Sequence, residues 1–244
     1  MKKAIQVLPD SDEMSKRGAE IFCQTAISSV NHRGSFAVAI SGGSTPRATH
    51  RLLSKKPYLN AIPWSRTHMF WVDERLVAFA SHHSNFGIAK KDFLDNIPIP
   101  ADQIHPMPAM MQPEKGAVVY ENDLKKFFQS FNSNRPYFDL VILGVGKDGH
   151  IASLFPGHIP NSKPNRWVLS VKGGDPDVYR LTLTYLVLNC ARHILFMVSG
   201  KGKARIVQTI FEDSQAQLPA SLVEPLDGQV TWLLDKEAAS LLQE

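Results

Sequence analysis

The chain alternates short, nearly continuous apolar runs with longer segments in which apolar residues recur at helical spacing. Short continuous runs are typical of strands buried on both faces, whereas a half-exposed strand shows strict alternation of apolar and polar residues. The predicted strands are Phe36–Ile40, Met69–Val72, Phe138–Leu143, His193–Val198 and Val230–Leu234, and the predicted helices span 12–30, 46–53, 85–95, 114–131 and 201–211. The pattern therefore predicts an α/β fold of three layers, with a mainly parallel, Rossmann-like sheet and helices on both faces.

Length and composition are those of an ordinary globular protein. The 244 residues are 43% hydrophobic and 20% charged, which excludes a disordered or fibrous chain and predicts a single domain over residues 1–244. No apolar run reaches the roughly 18 residues of a membrane helix, and the first residues hold no signal-peptide core, so we expect a soluble, cytoplasmic protein. Cys23 and Cys190 lack metal-binding or redox spacing, so we expect two buried core thiols.

A small excess of basic residues makes an anion the expected partner. Lys and Arg number 27 against 23 for Asp and Glu, and the formal net charge is +4. Nucleic-acid-binding proteins usually gather basic residues in one stripe or tail, but here they are spread along the chain. The charge alone does not decide between partners; its distribution favours a small anion and no nucleic acid.

The first segment with recognisable chemistry is Ser41-Gly42-Gly43-Ser44-Thr45-Pro46, between a predicted strand and a predicted helix. In an open parallel sheet, ligands bind beyond the carboxyl ends of the strands, so the loops after Ile40, Val72, Leu143 and Val198 should converge on one crevice. Glycines allow close approach of a ligand, and a helix N-terminus attracts an anion such as phosphate. A tight turn with a serine or threonine cap and no ligand explains this segment equally well.

Three ionisable residues, Asp73-Glu74-Arg75, directly follow the second strand. Such residues at the ligand-binding edge of a sheet are candidates for contact with a substrate. A surface ion pair of little energetic value is the alternative explanation. Further along, Ser84-Asn85 has the composition of a helix cap.

The third loop, Gly144-Val145-Gly146-Lys147-Asp148-Gly149-His150, carries the sharpest signal. A histidine at this edge can take a proton from water near neutral pH, and Asp148 can fix its tautomer and stabilise the imidazolium. A structural histidine is the alternative. Because the residues surrounding His150 are glycine and charged residues after a buried strand, we favour a catalytic histidine.

Two further basic residues are predicted at the same edge. Arg180 begins the segment Arg180-Leu181-Thr182-Leu183-Thr184, and Lys203 follows the strand His193–Val198. Taken singly, each is explained as solvated surface charge. Together with the turn 41–45, they would form a cage for a phosphate dianion.

These segments, in this order along the whole chain, resemble the 6-phosphogluconolactonase family, which is related in fold to the glucosamine-6-phosphate deaminases. The matching segments are 41–46, 73–75, 84–85, 144–150, 180–184, and Leu218-Pro219-Ala220-Ser221 before 230–235. The resemblance implies the deaminase/lactonase type of α/β fold. It also implies hydrolysis of 6-phospho-D-glucono-1,5-lactone to 6-phospho-D-gluconate in the oxidative pentose phosphate pathway, with no metal and no organic cofactor.

We expect the lactone to be held by its distant phosphate while water attacks the reacting carbon. In this hypothesis His150 is the general base, Asp148 orients it, and Arg75 either stabilises the developing oxyanion or contacts the substrate. The expected substrate- and phosphate-binding residues are Gly42, Gly43, Ser44, Thr45, Asp73, Arg180 and Lys203. A serine nucleophile, Ser41, Ser44 or Ser153, is the competing route, although the chain has no Gly-x-Ser-x-Gly elbow. We expect a monomer without membrane contact.

Two other functions are weighed against the lactonase. Deaminases of related fold carry a glutamate five positions after the histidine, where this chain has Phe155, and a phenyl ring cannot shuttle protons. This favours the lactonase over a deaminase or isomerase. A sugar-phosphate-binding domain of a transcription regulator would need a DNA-binding module, and residues 1–35 predict only a short strand and one helix.

Overall fold

The computed structural model describes residues 2–157, 165–213 and 215–243. The strands are β1 (Lys2–Leu8), β2 (Phe36–Ile40), β3 (Thr67–Trp71), β4 (Asp73–Arg75), β5 (Ile104–His105), β6 (Leu140–Leu143), β7 (Val168–Gly173), β8 (Val178–Leu183), β9 (His193–Val198) and β10 (Gln229–Asp235). The α-helices are α1 (Ser11–Arg33), α2 (Ser44–Leu53), α3 (Tyr58–Ala61), α4 (Asn85–Asp92), α5 (Pro113–Gln129), α6 (Tyr185–Leu188) and α7 (Ala204–Glu212). Short 3₁₀ turns span Trp64–Arg66, Leu94–Asn96, Ala101–Gln103 and Lys201–Lys203.

A seven-stranded parallel sheet forms the centre of the molecule, in the order β1-β10-β9-β6-β2-β3-β5. Strands β9, β6 and β2 lie in the middle of this order, and every residue in them is buried. Burial on both faces requires apolar side chains at consecutive positions, which explains the continuous apolar runs. The predicted α/β class with a mainly parallel sheet is therefore confirmed.

The helices begin and end where local chemistry dictates. At the start of α1 the Asp10 carboxylate accepts hydrogen bonds from the amides of Asp12 and Glu13, and at its end Gly34 adopts a left-handed φ of 79°. The predicted helix over 85–95 ends earlier, at Asp92, and a 3₁₀ turn begins at Leu94. Within the described residues, none of the helices has both the length and the apolar character needed to cross a membrane.

A second sheet, antiparallel and in the order β4-β8-β7, is a feature that the apolar pattern does not predict. The chain leaves the large sheet after Trp71, and the next strand, β4, pairs with β8 instead. Charged and hydroxyl residues interrupt β4 and β8, so no continuous apolar run marks them. This small sheet forms one wall beside the carboxyl ends of the parallel strands.

Both cysteines are buried in the protein interior, as predicted. Cys23 and Cys190 are buried and unpaired with each other. Burial raises the pKa of both thiols, because a buried thiolate loses hydration. They are therefore poor nucleophiles, in agreement with the predicted role as core residues.

Candidate active site

A cavity of about 280 Å³ opens at the carboxyl ends of the central strands, against the small antiparallel sheet. It is lined by Ser41, Gly42, Gly43, Ser44, Thr45, Pro46, Asp73, Arg75, Asn85, Gly144, Val145, Gly146, Lys147, His150, Ala152, Arg180 and Lys203. Every residue of the predicted site except Asp148 therefore lines one cavity, and Asp148 hydrogen-bonds to the ring of His150. The glycine-serine turn and the histidine lie on the same cavity, as the hypothesis requires.

The N-terminus of α2 presents backbone amides that no side chain caps. Gly43, the residue before the helix, has a left-handed φ of 89°. Asp10 caps α1 and Ser84 caps α4, which confirms the predicted cap at Ser84-Asn85, whereas α5 and α7, like α2, have no side-chain cap. Uncapped amides at the positive end of a helix favour an anion, so the geometry fits a phosphate-binding turn and not the side-chain-capped turn that was the alternative.

Two hydroxyl groups extend this turn. The Thr45 Oγ1 lies 3.1 Å from the Ser199 Oγ, which joins the loops after β2 and β9. The Ser41 hydroxyl is buried at the cavity wall and has no hydrogen-bond partner in the described part of the chain. A buried hydroxyl is stable when it is hydrogen-bonded, so this position suits contact with a bound ligand or water.

Two arginines face each other across the small sheet. Arg75 on β4 stands directly opposite Arg180 on β8, so their side chains share one face of the antiparallel pair. Burial lowers the pKa of the Arg180 guanidinium, and the positive charge of Arg75 lowers it further. The Arg180 Nε donates to the Gly173 carbonyl at 2.8 Å, which fixes the side chain. Two like charges held this close favour an anion between or beside them.

Two lysines, Lys147 and Lys203, also line the cavity. The Lys203 ammonium donates to the Val145 carbonyl at 2.6 Å. Partial burial lowers the pKa of Lys203, and the charge of Lys147 contributes in the same direction. Together with Arg75 and Arg180, these lysines give the cavity a basic lining, which suits an anion.

His150 and Asp148 form the pair expected of a general base and its orienting carboxylate. The His150 Nδ1 lies 2.6 Å from the Asp148 Oδ1, which also accepts the His150 amide at 3.2 Å. Partial burial acts to raise the pKa of Asp148, but the hydrogen bonds and charge of His150 outweigh it, so this pKa lies below its ordinary value. A carboxylate that stays ionised holds a proton on Nδ1 and leaves Nε2 to accept one from water.

The turn that carries His150 is closed by backbone hydrogen bonds. The Gly146 amide donates to the His150 carbonyl at 2.8 Å, and the Gly149 amide donates to the Gly146 carbonyl at 3.1 Å. Gly149 adopts a left-handed φ of 82°. The Ala220 amide donates to the Gly149 carbonyl, so the segment Leu218-Pro219-Ala220-Ser221 also holds this turn in place.

The acidic residues of the Asp73-Glu74-Arg75 segment are buried, which contradicts the alternative of a surface ion pair. Glu74 is fully buried, and its carboxylate accepts the amides of Arg75, Asn85 and Phe86. Burial raises the pKa of Glu74, although these amides act in the opposite direction. Asp73 lines the cavity wall, but the structure places both carboxylate oxygens against protein groups, the Asn85 amide and the Ser153 hydroxyl.

The structure also bears on the serine alternatives. The Ser153 hydroxyl donates to the Asp73 carboxylate at 2.7 Å, and Ser153 does not line the cavity. Ser41 and Ser44 line it, but neither is hydrogen-bonded to the His150 ring in the described structure. Activation of a serine requires a base within hydrogen-bond reach, so the geometry favours water as the nucleophile.

Among the lining residues with a charged or amide side chain, Asn85 and Lys147 were not predicted from the sequence as site residues. Lys147 stands inside the glycine-rich loop beside Asp148, and its position there was the available signal. Asn85 has the composition of a helix cap, and nothing in its local sequence marks it as part of the cavity wall. Among the residues that the structure describes, no group of three or more His, Cys, Asp or Glu side chains could hold a metal ion.

The fold is therefore that of an α/β protein with one cavity at the carboxyl ends of its parallel strands. The basic lining of this cavity suits a small anion, and the His150 imidazole beside it suits proton transfer. The family model for glucosamine-6-phosphate isomerases/6-phosphogluconolactonase matches residues 9–232. A 6-phosphogluconolactonase of Synechocystis sp. is 37% identical over 248 residues, covering 100% of both chains. The chain therefore belongs to the 6-phosphogluconolactonase family, as the resemblance in its sequence motifs predicted.

Other relatives agree with this assignment. The protein described as probable 6-phosphogluconolactonase 3, chloroplastic, of Oryza sativa subsp. indica is 40% identical over 223 residues, covering 87% of this chain and 68% of that one. The crystal structure of 6-phosphogluconolactonase from Thermotoga maritima has a TM-score of 0.83 at 29% identity, covering 96% of this chain and 100% of that chain.

Proposed function

We propose that this protein is an enzyme that hydrolyses 6-phospho-D-glucono-1,5-lactone to 6-phospho-D-gluconate in the oxidative pentose phosphate pathway. The observation that carries the proposal is that His150, hydrogen-bonded to Asp148, lines the same cavity as the uncapped N-terminus of α2 and the arginine pair. One part of this cavity suits a phosphate and another part suits water activation. The family membership supplies the substrate class.

The phosphate of the lactone binds where the charge and the free amides are. The amides and hydroxyls of Gly42, Gly43, Ser44 and Thr45 surround it, and Arg180 and Lys203 complete the positive charge. Binding energy from this distant group fixes the reacting carbon next to His150, so that attack becomes effectively intramolecular. This division of labour predicts separate effects on KM and kcat.

The chemical step needs one base and one nucleophile. The His150 Nε2 takes a proton from water as the water oxygen forms a bond to C1 of the lactone. Asp148 stabilises the imidazolium, and Arg75 supplies positive charge toward the oxyanion or toward the substrate itself. The tetrahedral intermediate then collapses, the bond from C1 to the ring oxygen breaks, and the ring oxygen receives the proton from the imidazolium.

The alternative within the family is deamination or isomerisation of glucosamine-6-phosphate. Phe155 packs against His150 with ring centroids 5.1 Å apart and lies 5.8 Å from the Arg180 guanidinium carbon. A glutamate at this position could exchange protons with the histidine, but a phenyl ring cannot. The apolar contact therefore favours lactone hydrolysis.

One comparison of two assays tests this proposal. Acid release from freshly generated 6-phosphogluconolactone is followed in a pH-stat, and ammonia release from glucosamine-6-phosphate is measured with the same preparation. We expect rapid acid release above the spontaneous rate and no ammonia. Ammonia release without accelerated lactone hydrolysis would assign the chain to the deaminase branch.

We also propose that the chain works as one sugar-phosphate lactonase domain, as a monomer in the cytoplasm and without a nucleic-acid partner. The two buried, free thiols suit a reducing compartment.

The four basic side chains at the cavity converge on a volume of about 280 Å³, which suits a small anion better than a polyanion. Size-exclusion chromatography with light scattering checks the monomer.

A further inference from the structure

We propose that the Asn85 side chain and the Asp73 carboxylate form a positioning clasp, which holds Arg75 and the glycine turn in register with each other. In this proposal Asp73 acts through Asn85 and does not contact the substrate. The inference rests on the proposed function and extends it by two positioning residues. We call the pair the Asn85–Asp73 clasp.

The amide of Asn85 bridges groups of opposite charge. Its Nδ2 donates to the Asp73 carbonyl at 2.9 Å and to the Asp73 Oδ1 at 3.1 Å. Its Oδ1 accepts from the Arg75 Nη1 at 2.7 Å. An amide has both a donor and an acceptor, whereas a carboxylate only accepts and an alkyl chain does neither. Asparagine is therefore matched to this position between an anion and a cation.

The backbone of Asn85 is itself fixed. The Glu74 Oε1 accepts the Asn85 amide at 2.8 Å, and the Glu74 Oε2 accepts the Ser84 hydroxyl at 3.0 Å. Glu74 thus anchors the first residues of α4 to β4 from a fully buried position. The Asn85 side chain is also buried, with 3% of the residue exposed. Neither end of the clasp can move without breaking buried hydrogen bonds.

The clasp reaches both sides of the cavity. A Cβ on Gly42 would lie 2.0 Å from the Asn85 Oδ1, so the phosphate-binding turn packs directly on this amide. On the other side, the Asp73 Oδ2 accepts the Ser153 hydroxyl, and Ser153 follows His150 by three residues. The Asn85–Asp73 clasp therefore connects the turn that binds phosphate, Arg75 and the loop that carries the base.

Arg75 needs this support because few other groups orient it. Its Nη1 also donates to the His83 carbonyl at 3.1 Å, but its Nε is buried and has no hydrogen-bond partner in the described structure. Arg180 stands directly opposite and repels it. Without the Asn85 acceptor, the Arg75 guanidinium would lose its shortest hydrogen bond and turn away from the position in which it meets the substrate.

A charge swap tests the clasp. Asn85→Asp places a second carboxylate against Asp73 and removes the donor; Asp73→Asn with Asn85→Asp restores one amide, one carboxylate and the original net charge. We measure kcat and KM for lactone hydrolysis between pH 5 and pH 8 and, independently of turnover, the Kd of 6-phosphogluconate by calorimetry. Urea unfolding of every variant separates loss of positioning from loss of folding.

We expect kcat/KM of Asn85→Asp to fall by about 10- to 100-fold, because a shift of about 1 Å in a substrate-contacting group has an effect of that order. The ratio of variant to wild-type kcat/KM should rise toward low pH, since one of two facing carboxylates then takes a proton and becomes a donor. The double variant should regain most of the activity and of the 6-phosphogluconate affinity. Asn60→Asp, at an exposed asparagine away from the cavity, is the matched control and should match wild type.

The outcomes separate the two proposals. If wild type does not accelerate lactone hydrolysis, the proposed function fails, and the 6-phosphogluconate affinities still decide about the clasp. The clasp is wrong if Asn85→Asp keeps wild-type kcat/KM and affinity, or if the double variant recovers stability to urea but neither of these quantities. Wild-type protein that neither accelerates lactone hydrolysis nor binds 6-phosphogluconate overturns both proposals.

Discussion

Gly146→Ala probes the close approach of the backbone at residue 146 to the proposed catalytic pair, His150 and Asp148. A Cβ on Gly146 would lie 2.1 Å from the His150 Nδ1 and 2.5 Å from the Asp148 Oδ1, whereas ordinary contact begins at 3.4 Å. The imidazole must therefore retreat by more than about 1 Å, and its hydrogen bond to Asp148 must open. Absence of a side chain at this position is what allows the pair to form.

The expected loss is in catalysis, not in folding. A misplacement of about 1 Å at a reacting group lowers the rate on the order of 10²-fold, which corresponds to about 2.7 kcal/mol in the activation barrier. The clashing atoms belong to side chains that are 33% and 52% exposed, so they can move toward solvent. We therefore expect the free energy of unfolding to change by less than about 1 kcal/mol.

The assay is kcat for lactone hydrolysis in a pH-stat, with urea unfolding measured on the same protein. Gly202→Ala is the matched control, because a Cβ there meets nothing within 4 Å, and it should keep both activity and stability. Wild-type kcat in Gly146→Ala would refute the reasoning. So would a loss of activity that merely follows the unfolded fraction, since the variant would then report folding and not the geometry of the pair.

Three further outcomes follow from the same structure. His150→Asn should lower kcat by about 10²–10⁴-fold, the usual contribution of a general base, while leaving the Kd of 6-phosphogluconate nearly unchanged by calorimetry. Arg180→Ala should mainly raise KM, by about 10- to 100-fold, because a charge-assisted hydrogen bond to phosphate contributes about 1.5–3 kcal/mol. Burial lowers the pKa of His50 to about 4 from 6.5, so the folded state resists protonation and stability should fall as pH drops from 6.5 toward 4. This histidine accounts for roughly 3 kcal/mol of that fall, and His50→Leu should make the pH dependence of urea unfolding shallower without abolishing it, because burial also lowers the pKa of His105 and His193 to about 4.

Each of these outcomes has a contrary result. Near-normal turnover in His150→Asn would show that His150 is not the general base. A fall in kcat at unchanged KM in Arg180→Ala would place this arginine at the reacting end and not at the phosphate. Identical slopes of stability against pH for wild type and His50→Leu would show that His50 is not the group that titrates.

The strands of the parallel sheet are readable from the sequence because their burial depends on a repetitive, local pattern. The bounds of β2 and β9 agree with the predicted Phe36–Ile40 and His193–Val198. The antiparallel sheet is not readable in the same way, because β4 and β8 carry residues such as Arg75, Arg180 and Thr182 whose side chains are accommodated by neighbours and not by a uniform apolar environment.

The site shows the same division. The glycine turn before α2 and the His150–Asp148 pair are visible in the sequence, because their partners are separated by only a few residues and their chemistry depends on local backbone geometry. The burial of Glu74 and the bridging role of Asn85 depend on groups brought together by the closure of the small sheet against α4. Which side chains become neighbours there depends on the tertiary packing and not on the local sequence.

Sequence alone thus determined the class of fold, the family and the two short segments for which we propose phosphate binding and water activation, because apolar periodicity and turn chemistry act over a few residues. Tertiary structure decided that Arg75 faces Arg180 and that Asp73 is tied to Asn85 and Ser153. Those contacts join segments far apart in the chain. They form only after the two sheets have brought these segments within hydrogen-bond distance, so a local sequence pattern cannot predict them.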